Sequence, residues 1–510
     1  MYARVKLCGE REIIKQLCSR SFSINSCHFD TNKPKPFKDI PGPKSLPVIG
    51  TLYKYLPYIG EYSFTVLHTN GILRLKRYGP LVREEILGQP IIYVYRPEDI
   101  AEIFKAETGL HPERRSHLAL LKYRKDRNNV YNTGGLLPTN GIEWWRLRRE
   151  FQKVLSKPSS VIDYLQDTDA VVQEFVQLCS REKPNDFLHL FSRLFLELTC
   201  LVAFDVKMES LSEKEKHPHS RSSRLIDAAF ITNSVTLKLD NSLMLWRFFE
   251  TPLYKKLCKA QNYMEEVALQ MVIQRNQNAL IHRKQSLLEE YLKNEALDIK
   301  DIVGMACDML LAGVETSTYT TSFILYHLAR NIDVQEKLRS EAMALLLDPT
   351  SPITAETLRN ATYTKAVIKE TFRLNPISVG IGRILQTDVI LSGYHIPKGT
   401  VAVTQNQIIS RLPEYFNEPD SFIPERWLRN NDRINKLGEK PIDPYIVLPF
   451  GHGPRSCIAR RFAEQNMQVV LLRICRNLRF TWCGGSLNTV SLLINKPDAP
   501  IKLKFEKLYE

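Results

Sequence analysis

Pro449-Phe450-Gly451-His452-Gly453-Pro454-Arg455-Ser456-Cys457 decides how this chain is read. Two glycines and a proline make an irregular loop whose backbone can come close to a large flat ligand. Phe450 offers an aromatic face, and Arg455 places a cation two residues before a thiol. A thiolate needs an electropositive setting to exist at neutral pH. The amphipathic run from Ile458 to Arg476 is predicted as a helix, so Cys457 sits just before a helix N-terminus, where the dipole favours negative charge. A single thiolate on a Gly-rich loop beside an arginine is what a haem iron with a cysteine axial ligand requires. The competing reading, for any one thiol taken alone, is a buried inert cysteine.

The pattern Phe-x-x-Gly-x-Arg-x-Cys resembles the haem-binding loop of the cytochrome P-450 superfamily. The resemblance implies haem b (iron protoporphyrin IX), with Cys457 as thiolate ligand of the metal and Phe450 and Arg455 as cofactor contacts. It also implies the fold class: mainly α with a small β lobe, built as a single large domain. One position departs from the family. Gly usually stands two residues after the cysteine, and this chain has Ala459, whose methyl would face the porphyrin.

The chain has 510 residues, 44% of them hydrophobic, enough for a large single core. Its net charge of +14 suits an acidic protein partner, nucleic acid or an anionic membrane surface. The basic residues are spread along the chain and no nucleic-acid motif occurs, so nucleic acid is set aside. Ten cysteines at irregular spacing, with no CxxC pair, argue against a disulfide framework or a zinc site. Residues 1–30 interleave Arg4, Lys6, Arg11, Lys15 and Arg20 with apolar residues, then add serines. No apolar run there approaches the roughly 18–20 residues of a bilayer span. The pattern reads as a mitochondrial transit peptide, although Glu10 and Glu12 are unusual in one. The Pro-rich stretch Asp39-Ile40-Pro41-Gly42-Pro43 follows as a stiff lead-in. The expected division is transit peptide and lead-in over 1–35 and one domain over 36–510.

Leu81 to Leu87 and Ile91 to Tyr95, around a Gly-Gln-Pro turn, predict a β-hairpin. Helices are expected near 97–106, 142–156, 160–181, 186–204, 254–283, 297–329 and 362–374. Short strands are expected within 383–408, and 207–222 reads as an exposed loop. The 297–329 helix would be on the order of 50 Å long. Within it, Ala312-Gly313-Val314-Glu315-Thr316-Ser317 is polar where its surroundings are apolar. Gly313 removes a side chain where something flat could approach, and a Thr hydroxyl can bond the carbonyl a turn back. A kinked surface helix is the bland alternative. Beside the Cys457 loop, the segment resembles the oxygen-activating part of the P-450 family, and Glu315 and Thr316 inherit proton delivery to bound O2 by position.

Glu370 and Arg373 lie on one helical face and can pair. Taken alone, that is an ordinary surface ion pair. The family resemblance makes it a buried structural triad with Arg426, from Pro424-Glu425-Arg426-Trp427. It likewise assigns Trp144, Arg148, Arg383 and Arg455 to the haem propionates, and leaves Arg146 and Arg149 as solvated charges. The implied substrate walls are residues 111–140, 308–316, Val379 to Ile381 and Leu492 to Ile494.

Lys365 and Lys369 stand one turn apart, and Arg460 and Arg461 follow the cysteine loop. A basic stripe is most often a solvated face. Here the spacing resembles the ferredoxin-docking site of the mitochondrial, ferredoxin-dependent branch. That branch implies an adrenodoxin-type reduced ferredoxin, an NADPH-dependent ferredoxin reductase, O2 and a place on the mitochondrial matrix side. The blocks 39–47, 112–120 and 132–141 resemble the insect mitochondrial enzymes that build moulting hormone. They imply an apolar steroid substrate, hydroxylated as an ecdysteroid precursor at carbon 22. Peripheral contact with the inner membrane would use the lead-in and the 241–253 segment. Two rival readings share these motifs: a mitochondrial detoxifying monooxygenase of broad substrate range, and a haem-binding carrier or sensor without turnover. The Glu315–Thr316 pair argues against the last, because a pure binder needs no proton relay.

Overall fold

The computed structural model describes residues 33–508, except 57, 108, 110, 278–285 and 429–440. The transit-peptide segment therefore lies outside the described residues. The helix Ile299–Arg330 is the spine of the fold. Asp298 caps it, its side chain accepting from the Lys300 amide, and Asp301 completes a capping box. Most of its sides are apolar and buried, as a helix through the middle of a large domain must be. It packs on the helices Leu188–Phe204 and Arg221–Asp240.

Two apolar cores meet along this spine. Leu310, Leu311 and Val314 belong to one, with Leu147, Phe151 and Met264. Tyr319, Phe323 and Leu328 belong to the other, with Phe191 and Leu471. The polar segment Glu315–Ser317 falls at the boundary between them. Gly313 has a different reason from the one its position suggested. A Cβ there would meet Thr199 Oγ1 at 2.7 Å, so the glycine admits the neighbouring helix rather than a flat ligand.

The β lobe is a four-stranded sheet in the order Leu81–Ile86, Gln89–Val94, Val401–Thr404, Gly382–Ile384. The first pair is the expected hairpin, with Leu81 opposite Val94. The central pair is parallel and the last antiparallel, which sets Arg383 beside Ala402. Two expectations need correction. The 160–181 helix is two helices, Pro158–Asp163 and Leu165–Arg181, joined at Tyr164. The 207–222 stretch is not simply an exposed loop. Met208 and Ser210 are buried, and Glu197 accepts from both their amides.

Candidate active site

The cysteine loop is closed by its own backbone: the Cys457 amide donates to Phe450 O at 2.8 Å. Gly451 and Gly453 have φ of 74° and 66°, the left-handed region where glycine carries no Cβ penalty. The helix beyond begins at Arg460, three residues after the thiol. Ala459 has φ −94°, which any residue adopts, and its amide donates toward the Cys457 sulfur. The departure from glycine is thus no strain on the backbone. Cys457 is exposed as a residue, yet protein surrounds its thiol closely enough that burial pushes it up. The Ala459 amide, Arg148 and Arg460 oppose that shift. Arg455 is not the cation beside the thiol. It turns away, donating to Pro112 O at 2.8 Å and to Thr139 O and Asn140 Oδ1, with its guanidinium 4.1 Å from the Trp144 ring centre.

Arg455 belongs to a cluster of guanidinium groups that rims the loop. Arg148 donates to Ser456 O at 2.8 Å and Arg383 to His452 O at 3.2 Å. Arg114, quoted in the sequence only as part of a longer block, completes the cluster by donating twice to Leu137 O. Burial and then the neighbouring Arg114, Arg383 and Arg148 push Arg455 down to about 8. Burial pushes Arg114 and Arg148 to about 10, with Arg383 a further cause at Arg114. Glu107, 2.7 Å from Arg383, offsets only part of the charge. Arg455 Nη1 is buried with no hydrogen-bond partner. Crowded, desolvated cations with an orphaned donor beside a thiol loop fit a ligand that brings its own carboxylates, as haem does. Trp144, Arg148, Arg383 and Arg455 are brought together as the sequence suggested, and Arg114 is the member it missed.

Glu315 is buried and held by two donors, Asn233 Nδ2 and Tyr319 OH, each at 2.5 Å. Burial raises it to about 7, against those two hydrogen bonds and the charge of Lys496. Thr316 Oγ1 donates to Ala312 O at 2.6 Å, the back-bond expected of a mid-helix threonine. Adjacent residues on a helix point in different directions, and no hydrogen bond joins Glu315 to Thr316. Asn233 lies on the helix Arg221–Asp240, 82 residues away in sequence, so no local pattern announced it.

Glu370 and Arg373 are fully buried and bonded at 2.7 Å. Glu370 also accepts from Ile423 N and Trp427 Nε1. Arg426 Nε is 3.5 Å away, and its Nη2 donates to Glu418 O. On the outside, Lys369, Arg460 and Arg461 are exposed. Lys365 is half-buried, its Nζ donating to Arg359 O. Arg460 pairs with Glu464 and lies over the Phe450 ring, so this basic face backs directly on the cysteine loop. Arg146 is not a merely solvated charge: it bonds Asp301 at 2.9 Å, tying the Gly141–Leu155 helix to the start of the spine. Arg149 is mostly exposed, against Glu150.

Among the described residues, no helix is long and apolar enough to cross a membrane. The family model "Cytochrome P450" matches residues 40–505. The chain is 47% identical over 496 residues to "Cytochrome P450 302a1, mitochondrial" of Drosophila melanogaster, covering 96% of this chain and 98% of that protein. It is 32% identical to "Probable cytochrome P450 12a5, mitochondrial" of the same organism, covering 92% and 91% of the two chains. It is 30% identical to "Probable cytochrome P450 301a1, mitochondrial", also of that fly, covering 93% and 87%. The chain belongs to the cytochrome P450 family, whose members carry haem with a cysteine thiolate on the iron.

Proposed function

We propose that this chain is a mitochondrial steroid monooxygenase that hydroxylates carbon 22 of an ecdysteroid precursor, taking electrons from a reduced ferredoxin. The observation that carries the chemistry is the cluster of desolvated arginines around the Cys457 loop. The steroid reading rests on the resemblance of the 39–47, 112–120 and 132–141 blocks to insect moulting-hormone enzymes. Full-length likeness to relatives named mitochondrial supports the branch.

In this reading Cys457 is the iron ligand, and Trp144, Arg148, Arg383, Arg455 and Arg114 hold the propionates. Phe450 shields the ligand loop. Bound haem supplies activation of O2 by a thiolate-ligated iron. The protein orients a C–H bond over the haem, excludes water and moves protons. Glu315, raised to about 7, can both hold and release a proton at neutral pH. Its carboxyl is fixed by donation from Asn233 and Tyr319. Thr316 donates its hydroxyl proton back to Ala312 O, which leaves the hydroxyl oxygen as an acceptor. Glu370, Arg373 and Arg426 are structural. Lys365, Lys369, Arg460 and Arg461 form the ferredoxin face. Residues 1–35 serve as transit peptide and lead-in to a domain over 36–510.

The test is turnover. The mature protein, a ferredoxin, its reductase and NADPH are given an ecdysteroid precursor lacking the 22-hydroxyl. One added oxygen at that carbon by mass spectrometry, lost without ferredoxin, is the expected result. Oxygen added elsewhere, or to unrelated apolar compounds equally well, would move the assignment to a different steroid position or to a broad-range enzyme.

A further inference from the structure

Thr133-Gly134-Gly135-Leu136-Leu137 carries no catalytic group, yet the spine grips the arginine cluster through it. Asp308, buried on the spine seven residues before Glu315, accepts from Leu136 N at 2.7 Å and Leu137 N at 3.2 Å. It also bonds Arg124 Nη1 at 2.7 Å. Arg124 is fully buried, and the same Nη1 donates to Gly134 O at 2.7 Å. Gly135 has φ of 81°, and a Cβ there would lie 2.2 Å from Arg124 Nη1 and 2.7 Å from Asp308 Oδ2. Only glycine lets the pair close over this turn.

The far side of the same turn holds two of the clustered cations. Leu137, whose amide Asp308 receives, offers its carbonyl to Arg114. Two and three residues on, Thr139 O and Asn140 Oδ1 accept from Arg455. Asn140 also exchanges hydrogen bonds with the Arg114 backbone. A short path of hydrogen bonds therefore runs from the spine through residues 136–140 to both guanidinium groups.

We infer that Asp308 is a positioning residue, its charge balanced by Arg124: it fixes Arg114 and Arg455 relative to the helix that carries Glu315 and Thr316. The spine then sets the grip on the propionates and so the seating of the haem. This rests on the assignment of those arginines to the propionates. A pair kept for stability alone would leave little unbonded. Instead Arg124 Nε and Nη2 are buried without hydrogen-bond partners, over the Tyr131 ring. Unbonded buried donors cost free energy, so position rather than stability is what the arrangement secures.

Two neutral double variants of the holoenzyme separate the readings. Asp308→Asn with Arg124→Met keeps a side-chain oxygen for the loop amides. Asp308→Leu with Arg124→Met removes it, and neither leaves an unpaired buried charge. Haem transfer to an excess of an apo-globin is followed by absorbance, and exchange of the Leu136 and Leu137 amides by mass spectrometry. The Asn variant should retain haem and amide protection near the wild-type level. The Leu variant should lose haem faster by on the order of tenfold, with both amides exposed. Equal haem loss in the two, fast or slow, overturns the inference, as does failure of both to fold. Arg455→Ala in the same assay tests the assignment beneath it. If that variant holds haem normally, the propionate reading fails, and amide exchange still decides whether Asp308 holds the loop.

Discussion

Phe372 meets Phe450 edge-on, with ring centres 5.3 Å apart and planes at 74°. Phe372 sits in the helical turn of Glu370 and Arg373, and Phe450 opens the cysteine loop. The buried ion pair and the loop therefore share an apolar contact. Arg373 and Arg426 both lie against the Phe416 ring, so the carboxylate of Glu370 is enclosed on several sides.

Removing one partner of that pair strands the other charge. Arg373→Met leaves Glu370 with only the Ile423 and Trp427 donors and the more distant Arg426. The expected cost is ~3–5 kcal/mol. Thermal unfolding of the variant should show it, together with haem lost on purification. A variant with unchanged melting temperature would mean that the pair carries no structural burden.

Glu315 gives a pH dependence with a definite sign. Its carboxyl is raised from 4.5 to about 7 in the fold. Between those values the folded state binds more protons than the unfolded one, so this group makes stability fall as pH rises from 4.5 to about 7. Above that range the burial cost is complete, on the order of 3 kcal/mol. Glu315→Gln should therefore be more stable than wild type at pH 8 and similar near pH 4. Asn233, Tyr319 and Lys496 face the carboxyl and are unchanged in the variant. Turnover should move the other way, falling by ~100-fold or more if Glu315 delivers a proton. Wild-type turnover should decline as pH rises through about 7 and the acid form is lost. A variant with flat stability difference and full activity would remove Glu315 from the relay.

Much of this was legible because it is local. The cysteine loop, the hairpin, the spine and the Glu370–Arg373 spacing are all written within a few consecutive residues. Arg146, Asn233 and Asp308 were not legible, because each acquires its meaning from a partner on another element. Arg455 misled for the same reason: adjacency in sequence put it beside the thiol, while Pro112, Thr139 and Asn140 draw its side chain away. Gly313 looked like a ligand notch because sequence shows the missing side chain and not Thr199 opposite it.

On the basic face the four cations should contribute unequally. Lys369 is exposed, its ammonium 5.8 Å from the Trp427 ring centre, and Arg461 is exposed too. Lys365 is half-buried and already bonded to Arg359 O at 2.9 Å. Lys369→Glu and Arg461→Glu should each raise the KM for ferredoxin by roughly tenfold at low salt, and Lys365→Glu by less. The differences should shrink once ionic strength passes about 0.1 M, where the screening length is near 10 Å. Equal effects at every salt concentration would point to a folding defect instead of docking.

The 241–253 segment carries the last expectation. Trp246 is buried, its indole N–H donating to Leu239 O at 2.9 Å and its ring stacked on Tyr254. That anchor leaves Phe248 85% and Phe249 58% exposed, with Leu243 and Leu245 also open to solvent. Lys238, Arg247, Lys255 and Lys256 flank them in sequence. Glu250 follows Phe249 directly, but these cations outnumber it, and outward apolar side chains suit an anionic lipid surface, where each Phe gains up to ~1.5–3 kcal/mol on full burial. The Phe248→Ser, Phe249→Ser double variant should partition onto anionic phospholipid vesicles at least tenfold more weakly than wild type, in proportion to that loss. Raising the salt should weaken the wild type only in part, because the apolar contribution is not screened. If sedimentation with vesicles is the same for both proteins, the patch does not face the bilayer.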